Sequence, residues 1–123
     1  MSGESLDGMR ILIVEDNFVV ADSLRFMIGG YGGEVSAIAP TIDKALEALS
    51  AAPVDVAVLD INLAGTTVAP LAEHLRVSGI PFVFLTGYGD NELLPEALRD
   101  SPRLDKPVNA ERLVRVLQRL IAR

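Results

Sequence analysis

Three observations on this 123-residue chain predict an α/β fold, a doubly wound parallel sheet of five strands with five helices. Short apolar runs (Ile11-Leu12-Ile13-Val14, Val54-Asp55-Val56-Ala57-Val58-Leu59 and Pro81-Phe82-Val83-Phe84-Leu85) read as strands buried in a parallel sheet. Between them lie segments whose apolar residues recur at intervals of three and four, the helical spacing. All connections are short, so right-handed crossovers place helices on both faces.

The elements follow in order. Residues 1–8 are polar and read as a loose lead-in to a single domain over 9–122. After the first strand, Asn17 caps a helix carrying Val20, Leu24, Met27 and Ile28. Gly29-Gly30-Tyr31-Gly32-Gly33 ends that helix. A glycine-rich phosphate cradle would follow a strand and open a helix, the reverse of the order here. Residues 34–39 form a short second strand near an edge. Pro40-Thr41 starts a helix through Leu46 and Leu49 that Pro53 ends. Beyond the strand ending in Asp60 come a loop over 61–67 and a helix over 68–78, stopped by Gly79. The strand ending in Thr86 leads to the loop Gly87-Tyr88-Gly89-Asp90, then to a helix from its cap Asn91 to Arg99. Arg103-Leu104-Asp105 is the last strand. Asn109 caps the last helix, with Leu113, Val114, Leu117, Leu120 and Ile121 on one face.

Composition narrows the function. Half the residues are apolar, so a packed core is expected. A net charge of −6 argues against a nucleic-acid surface. Arg112, Arg115, Arg119 and Arg123 fall on one helix face, read as a solvated one. With no cysteine, the chain has no disulfide, thiol catalysis or Cys-ligated zinc. No apolar stretch approaches the roughly 20 residues of a membrane span, and the first residues do not resemble a signal peptide. A cytoplasmic protein without membrane contact is expected.

The chemistry-bearing residues sit at strand ends. Glu15-Asp16 closes the first apolar run, Asp60 the third strand, Thr86 the fourth, and Lys106-Pro107 follows the fifth. The carboxyl ends of parallel strands share one sheet edge, where ligands of open α/β folds bind. Three carboxylates, a hydroxyl and an ammonium therefore meet in one pocket. Two carboxylates about 4 Å apart repel by roughly 4 kcal/mol at an effective dielectric of about 20, so the cluster calls for a cation or a shared proton. Hard oxygen donors suit Mg²⁺. Asp16 and Asp60 are candidate direct ligands, Glu15 a ligand through water, and the backbone carbonyl of Asn62 a further oxygen. Asp60 is then a candidate nucleophile toward phosphorus, forming an aspartyl phosphate. Lys106 can neutralise one phosphoryl oxygen and Thr86 can donate to another. The Lys106-Pro107 bond can be cis or trans, and the sequence leaves both open.

These residues resemble a family. The acidic pair in ILIVEDN, Asp60 in VAVLDINL, Thr86 in VFLTGYG and Lys106 in LDKP together resemble the receiver domain of bacterial two-component response regulators, over about residues 9–122. The resemblance implies a flavodoxin-like sheet in the order 2-1-3-4-5. It also implies phosphoryl transfer to Asp60 from a histidine kinase or histidine phosphotransfer protein. Glu15 and Asp16 would hold Mg²⁺, while Thr86 and Lys106 would contact the phosphoryl group. There are two departures. Arg103 stands three residues before the lysine, where many receivers have a switch aromatic, and Ala64 stands four residues after the acceptor, where many have proline. Phe84-Leu85-Thr86-Gly87-Tyr88 resembles the stand-alone subgroup named for an F-A-T-G-(G)-Y motif, with Leu85 in place of alanine. Some members of that subgroup serve alphaproteobacterial stress-response phosphorelays. On this reading Tyr88 takes part of the signalling role. Asn62 and Tyr88 occupy positions that tune phosphate loss, in opposing directions.

The expected function is a stand-alone response regulator that phosphorylates and dephosphorylates itself, without enzymatic turnover, and signals through protein contacts. A phosphorelay intermediate or phosphate sink needs the same site. A small Mg²⁺-dependent phosphohydrolase would need an acid two residues after the nucleophile, where this chain has Asn62. A scaffold that is never phosphorylated would not need the full acidic and basic set. His74, the only histidine, lies mid-helix and reads as a surface or boundary residue rather than a phosphoryl carrier. No helix-turn-helix follows, so output by DNA binding within this chain is not expected.

Overall fold

The computed structural model describes residues 5–121, and its three central strands fall on the unbroken apolar runs. The strands of the sheet are β1 (Arg10–Val14), β2 (Glu34–Ala39), β3 (Val56–Asp60), β4 (Phe82–Thr86) and β5 (Arg103–Asp105), all parallel, in the spatial order β2-β1-β3-β4-β5. The α-helices among the described residues are α1 (Phe18–Gly30), α2 (Ile42–Ala51), α3 (Ala69–Ser78) and α4 (Ala110–Ile121).

Strand periodicity splits the apolar runs between two cores. Leu12, Val14, Ala57, Leu59 and Phe84 face α2 and α3, while Ile11, Ile13, Val58, Val83 and Leu85 face α1 and α4. Burial of β1, β3 and β4 on both faces is why their sequences do not alternate with polar residues.

Local chemistry sets the helix ends. The Asn17 side chain accepts from the N–H groups of Val19 (2.9 Å) and Val20 (3.1 Å). Thr41 caps α2 by accepting from Lys44 N–H (3.1 Å), and Asn109 caps α4 by accepting from Arg112 N–H (3.0 Å). The glycine cluster does end α1. A Cβ on Gly33 would stand 2.7 Å from Ile28 Cγ2, so only glycine lets the chain turn this closely into β2. Arg112, Arg115 and Arg119 are exposed along α4, as expected; Arg123 lies outside the described residues.

Three expectations need correction. First, the helix expected from Asn91 to Arg99 is two short 3₁₀ turns, Asp90–Leu93 and Glu96–Leu98, so there are four α-helices rather than five among the described residues. Pro95 explains the break. It has no N–H to donate and biases Leu94 toward the extended backbone found there (φ −91°, ψ 133°). Second, part of the lead-in is ordered. Leu6 is fully buried and its N–H donates to Tyr31 O (2.7 Å), while Gln118 donates to Ser5 O (3.0 Å). Residues 1–4 of the lead-in lie outside the described residues.

Third, the loop over 61–67 contains a small antiparallel ribbon, Asn62–Leu63 with Thr66–Thr67. Its two-residue turn has positive φ at both central positions, +51° at Ala64 and +89° at Gly65. This is the requirement of a type I′ hairpin, which favours Asn-Gly. Proline, locked near φ −65°, cannot take the Ala64 conformation. Ala64→Asn is expected to stabilise the fold by about 0.5–1 kcal/mol, read as a higher urea midpoint, and Ala64→Pro to destabilise it by more than that. A midpoint that falls for the asparagine variant would contradict the strain assigned to Ala64.

Candidate functional site

The sheet register brings the strand-end residues together. Val14 pairs with Leu59, so Glu15 and Asp60 follow side by side on adjacent strands. Asp60 in turn pairs with Leu85, which precedes Thr86. Lys106 follows β5, and its N–H donates to Thr86 O (2.9 Å). Its peptide bond to Pro107 is cis. Asp55 shows that an acid at the other end of a strand has another use. At the amino-terminal end of β3 it forms a bidentate pair with Arg10 (3.1 Å), which holds its carboxyl below the usual range.

Ligand oxygens of Glu15, Asp16 and Asp60 lie within 4.8 Å of one another. Glu15 and Asp60 are buried (2% and 3% exposed), whereas Asp16 is exposed. The Lys106 amine lies 3.2 Å from Asp60 Oδ1 and 3.5 Å from Glu15 Oε1. These contacts are ionic. Neither buried oxygen has a hydrogen-bond donor among the described residues, so each keeps lone pairs free. The other Glu15 oxygen accepts from Asn17 N–H (3.1 Å).

The electrostatics follow from this crowding. Burial, reinforced by Asp60, pushes the Glu15 carboxyl up to about 7, against the opposing pull of Asn17 N–H and Lys106. Burial alone would lower the Lys106 amine, but attraction to Asp60 and Glu15 outweighs it and the net direction is up. The site thus has a carboxylate excess that one lysine does not neutralise. Buried hard oxygens whose only partner among the described residues is the Lys106 charge, beside an exposed third carboxylate, fit a small divalent cation.

The remaining candidates are placed differently. Thr86 is buried (3% exposed), and its single hydroxyl hydrogen is shared between two acceptors, Gly87 O (3.2 Å) and Asn91 Oδ1 (3.4 Å). Asn62 Oδ1 accepts from Gly65 N–H (2.8 Å), tying that side chain to the hairpin turn. Tyr88 is fully exposed in the loop after β4, so its ring packs on nothing. His74 is exposed on α3, away from the strand ends. Asn91 and Arg103 were not singled out together by sequence. Arg103 donates to Asn91 Oδ1 (2.6 Å), the same oxygen that accepts from Thr86. Pairing of Arg103 with Phe84 in β4 follows from strand register, but nothing in the sequence signals the side-chain bond.

Residues 11–118 match the family model for the response regulator receiver domain. The chain belongs to that family. None of the curated proteins matches it significantly. Among solved structures, this receiver is similar to SdrG from Sphingomonas melonis Fr1, with 34% identity over 91% of this chain and 95% of that one, and a TM-score of 0.81. It is also similar to a putative response regulator from Chloroflexus aurantiacus J-10-fl, with 26% identity over 94% and 98% of the two chains and a TM-score of 0.80. The response regulator PhyR from Brucella abortus is 26% identical over 97% of this receiver, with a TM-score of 0.81, and this receiver spans 50% of its length. No helix among the described residues is long and apolar enough to cross a membrane.

Proposed function

We propose that this receiver accepts a phosphoryl group on Asp60 from a phosphohistidine of a histidine kinase or phosphotransfer protein, and signals through protein contacts in the cytoplasm. One observation carries the reading: the Lys106 amine 3.2 Å from a buried Asp60 oxygen that has no hydrogen-bond donor, beside Glu15 and Asp16. Membership of the family supports it. Glu15, Asp16, Asp60 and the carbonyl of Asn62 would hold Mg²⁺, which when bound offsets the charge of the carboxylates and of the incoming phosphoryl oxygens.

The chain's own groups supply the rest. A carboxylate oxygen of Asp60 attacks phosphorus as the bond from phosphorus to the donor imidazole nitrogen breaks, and that nitrogen keeps the electron pair and takes a proton from solvent. The Lys106 ammonium neutralises one equatorial oxygen. Thr86 turns its hydroxyl from Gly87 and Asn91 to donate to another, drawing the following loop with it. The stand-alone form, and a place in a stress-response relay like that suggested by the F-A-T-G-(G)-Y resemblance, belong to the same proposal. Coverage of 95% of SdrG supports the stand-alone form, and likeness to PhyR, a stress response regulator, supports the relay.

Incubation with acetyl phosphate and Mg²⁺ followed by intact mass measurement tests the acceptor. One phosphoryl group is expected on the parent and none on Asp60→Asn. Equal uptake by both proteins would move the acceptor elsewhere, and no uptake by the parent would leave the receiver without its proposed chemistry.

A further inference from the structure

Arg103 opens β5, beside Phe84 of β4 and two residues short of Asp105, the partner of Thr86. Its guanidinium donates to two acceptors in the segment between these strands: the Arg99 carbonyl and, at 2.6 Å, Asn91 Oδ1. That amide oxygen also accepts from the Thr86 hydroxyl, at 3.4 Å. One acceptor atom therefore joins the end of β4, the first 3₁₀ turn and the start of β5. Asn91 is exposed and sits in a short turn, where an unrestrained side chain would spread over several rotamers. The short charge-assisted bond from Arg103 fixes its oxygen in front of Thr86.

We infer that Arg103 is a positioning residue for Thr86: acting through Asn91, it holds the hydroxyl in its resting orientation and thereby restrains the receiver's shift to the phosphoryl-contacting state. The inference rests on Asp60 being the phosphoacceptor. A hydroxyl held on Asn91 Oδ1 and on Gly87 O (3.2 Å) is not available to a phosphoryl oxygen, so reaching that oxygen requires breaking both contacts, of which the Asn91 one depends on Arg103. If phosphorylation proceeds through the state in which Thr86 has already turned, its rate scales with the population of that state. Loosening the latch raises that population, and the effect must pass through the Thr86 hydroxyl.

The test is the rate of phosphorylation by acetyl phosphate with Mg²⁺, followed by intact mass. Arg103→Ala and Asn91→Ala are each expected to react ~3- to 10-fold faster than the parent, the range set by one modest hydrogen bond. The double variant should be no faster than either single one, because both remove the same link. In a Thr86→Ala background, Arg103→Ala should change nothing, an epistasis that simple loosening of the fold would not produce. Arg103→Lys, which can still reach Asn91 with one donor, should fall between parent and alanine variant. A parent rate for Arg103→Ala, or the same acceleration without the Thr86 hydroxyl, overturns the latch while leaving Asp60 as acceptor. A parent that takes up no phosphoryl group overturns the acceptor reading and the latch with it.

Discussion

Lys106→Ala is expected to slow phosphorylation of Asp60 by about a hundredfold or more, the usual loss when one preorganised charge partner of a transferring group is removed. The amine sits 3.2 Å from Asp60 Oδ1 with its side chain largely covered, so solvent cannot fully replace its charge. The same substitution leaves Glu15 and Asp60 facing each other without a counter-ion. In the absence of divalent cation it is expected to destabilise the fold by about 1–3 kcal/mol near neutral pH, less than a fully buried pair would lose because the lysine is partly solvated. Mg²⁺ should recover stability but not rate. Lys106→Met separates charge from packing, since it keeps an apolar stem in the recess formed with Val19, Val20 and Pro107. It should lose the rate as the alanine variant does. Urea unfolding and phosphorylation kinetics on the three proteins check both effects, and a methionine variant with the parent rate would remove Lys106 from the chemistry.

The sheet was legible in the sequence because burial on both faces writes itself as unbroken apolar runs. Runs as short as Ile11 to Val14 could be placed, and the order of acids and hydroxyl at their ends pointed to one edge. Register then did what composition could not, setting Glu15 beside Asp60 by pairing Val14 with Leu59. Legibility failed where local signals compete. Asn91 looks like a helix cap, but its oxygen is taken by Arg103 and Thr86, and Pro95 four residues on forbids the helix that a cap would start. That proline was the readable warning. Leu6 is a lone apolar residue in a polar segment, and without a period nothing marks it for the core. The Arg103–Asn91 bond spans two elements through long side chains, and strand pattern carries no information about it. Tyr88, read from its motif as a signalling residue, has its ring in solvent, so the sequence motif alone does not fix what the side chain touches.

Glu15→Gln is expected to stabilise the metal-free protein at alkaline pH and to make little difference in acid. In the fold Glu15 titrates near 7, above its ordinary value of 4.5, chiefly because burial disfavours the charge. A raised carboxyl means that the folded state binds more protons than the unfolded state between those values. The slope of stability with pH is then negative across that window, flat below it and flat above it. The parent therefore loses up to roughly 3 kcal/mol from this group as pH rises from about 4.5 to about 7, and glutamine, which never ionises, does not. Lys106 works in a separate window. Its raised amine contributes stability that is lost only as pH passes above its ordinary value of 10.5. The measured quantity is the difference in urea-unfolding free energy between Glu15→Gln and parent in EDTA, expected at about 1–3 kcal/mol near pH 8 and near zero below about pH 4.5. Mg²⁺ should reverse the ranking, because it binds the ionised carboxylates of the native parent and adds about 2.7 kcal/mol at a hundred times its dissociation constant. A difference that stays constant with pH would show that Glu15 titrates alike in the folded and unfolded states, and would withdraw the crowding on which the cation site is argued.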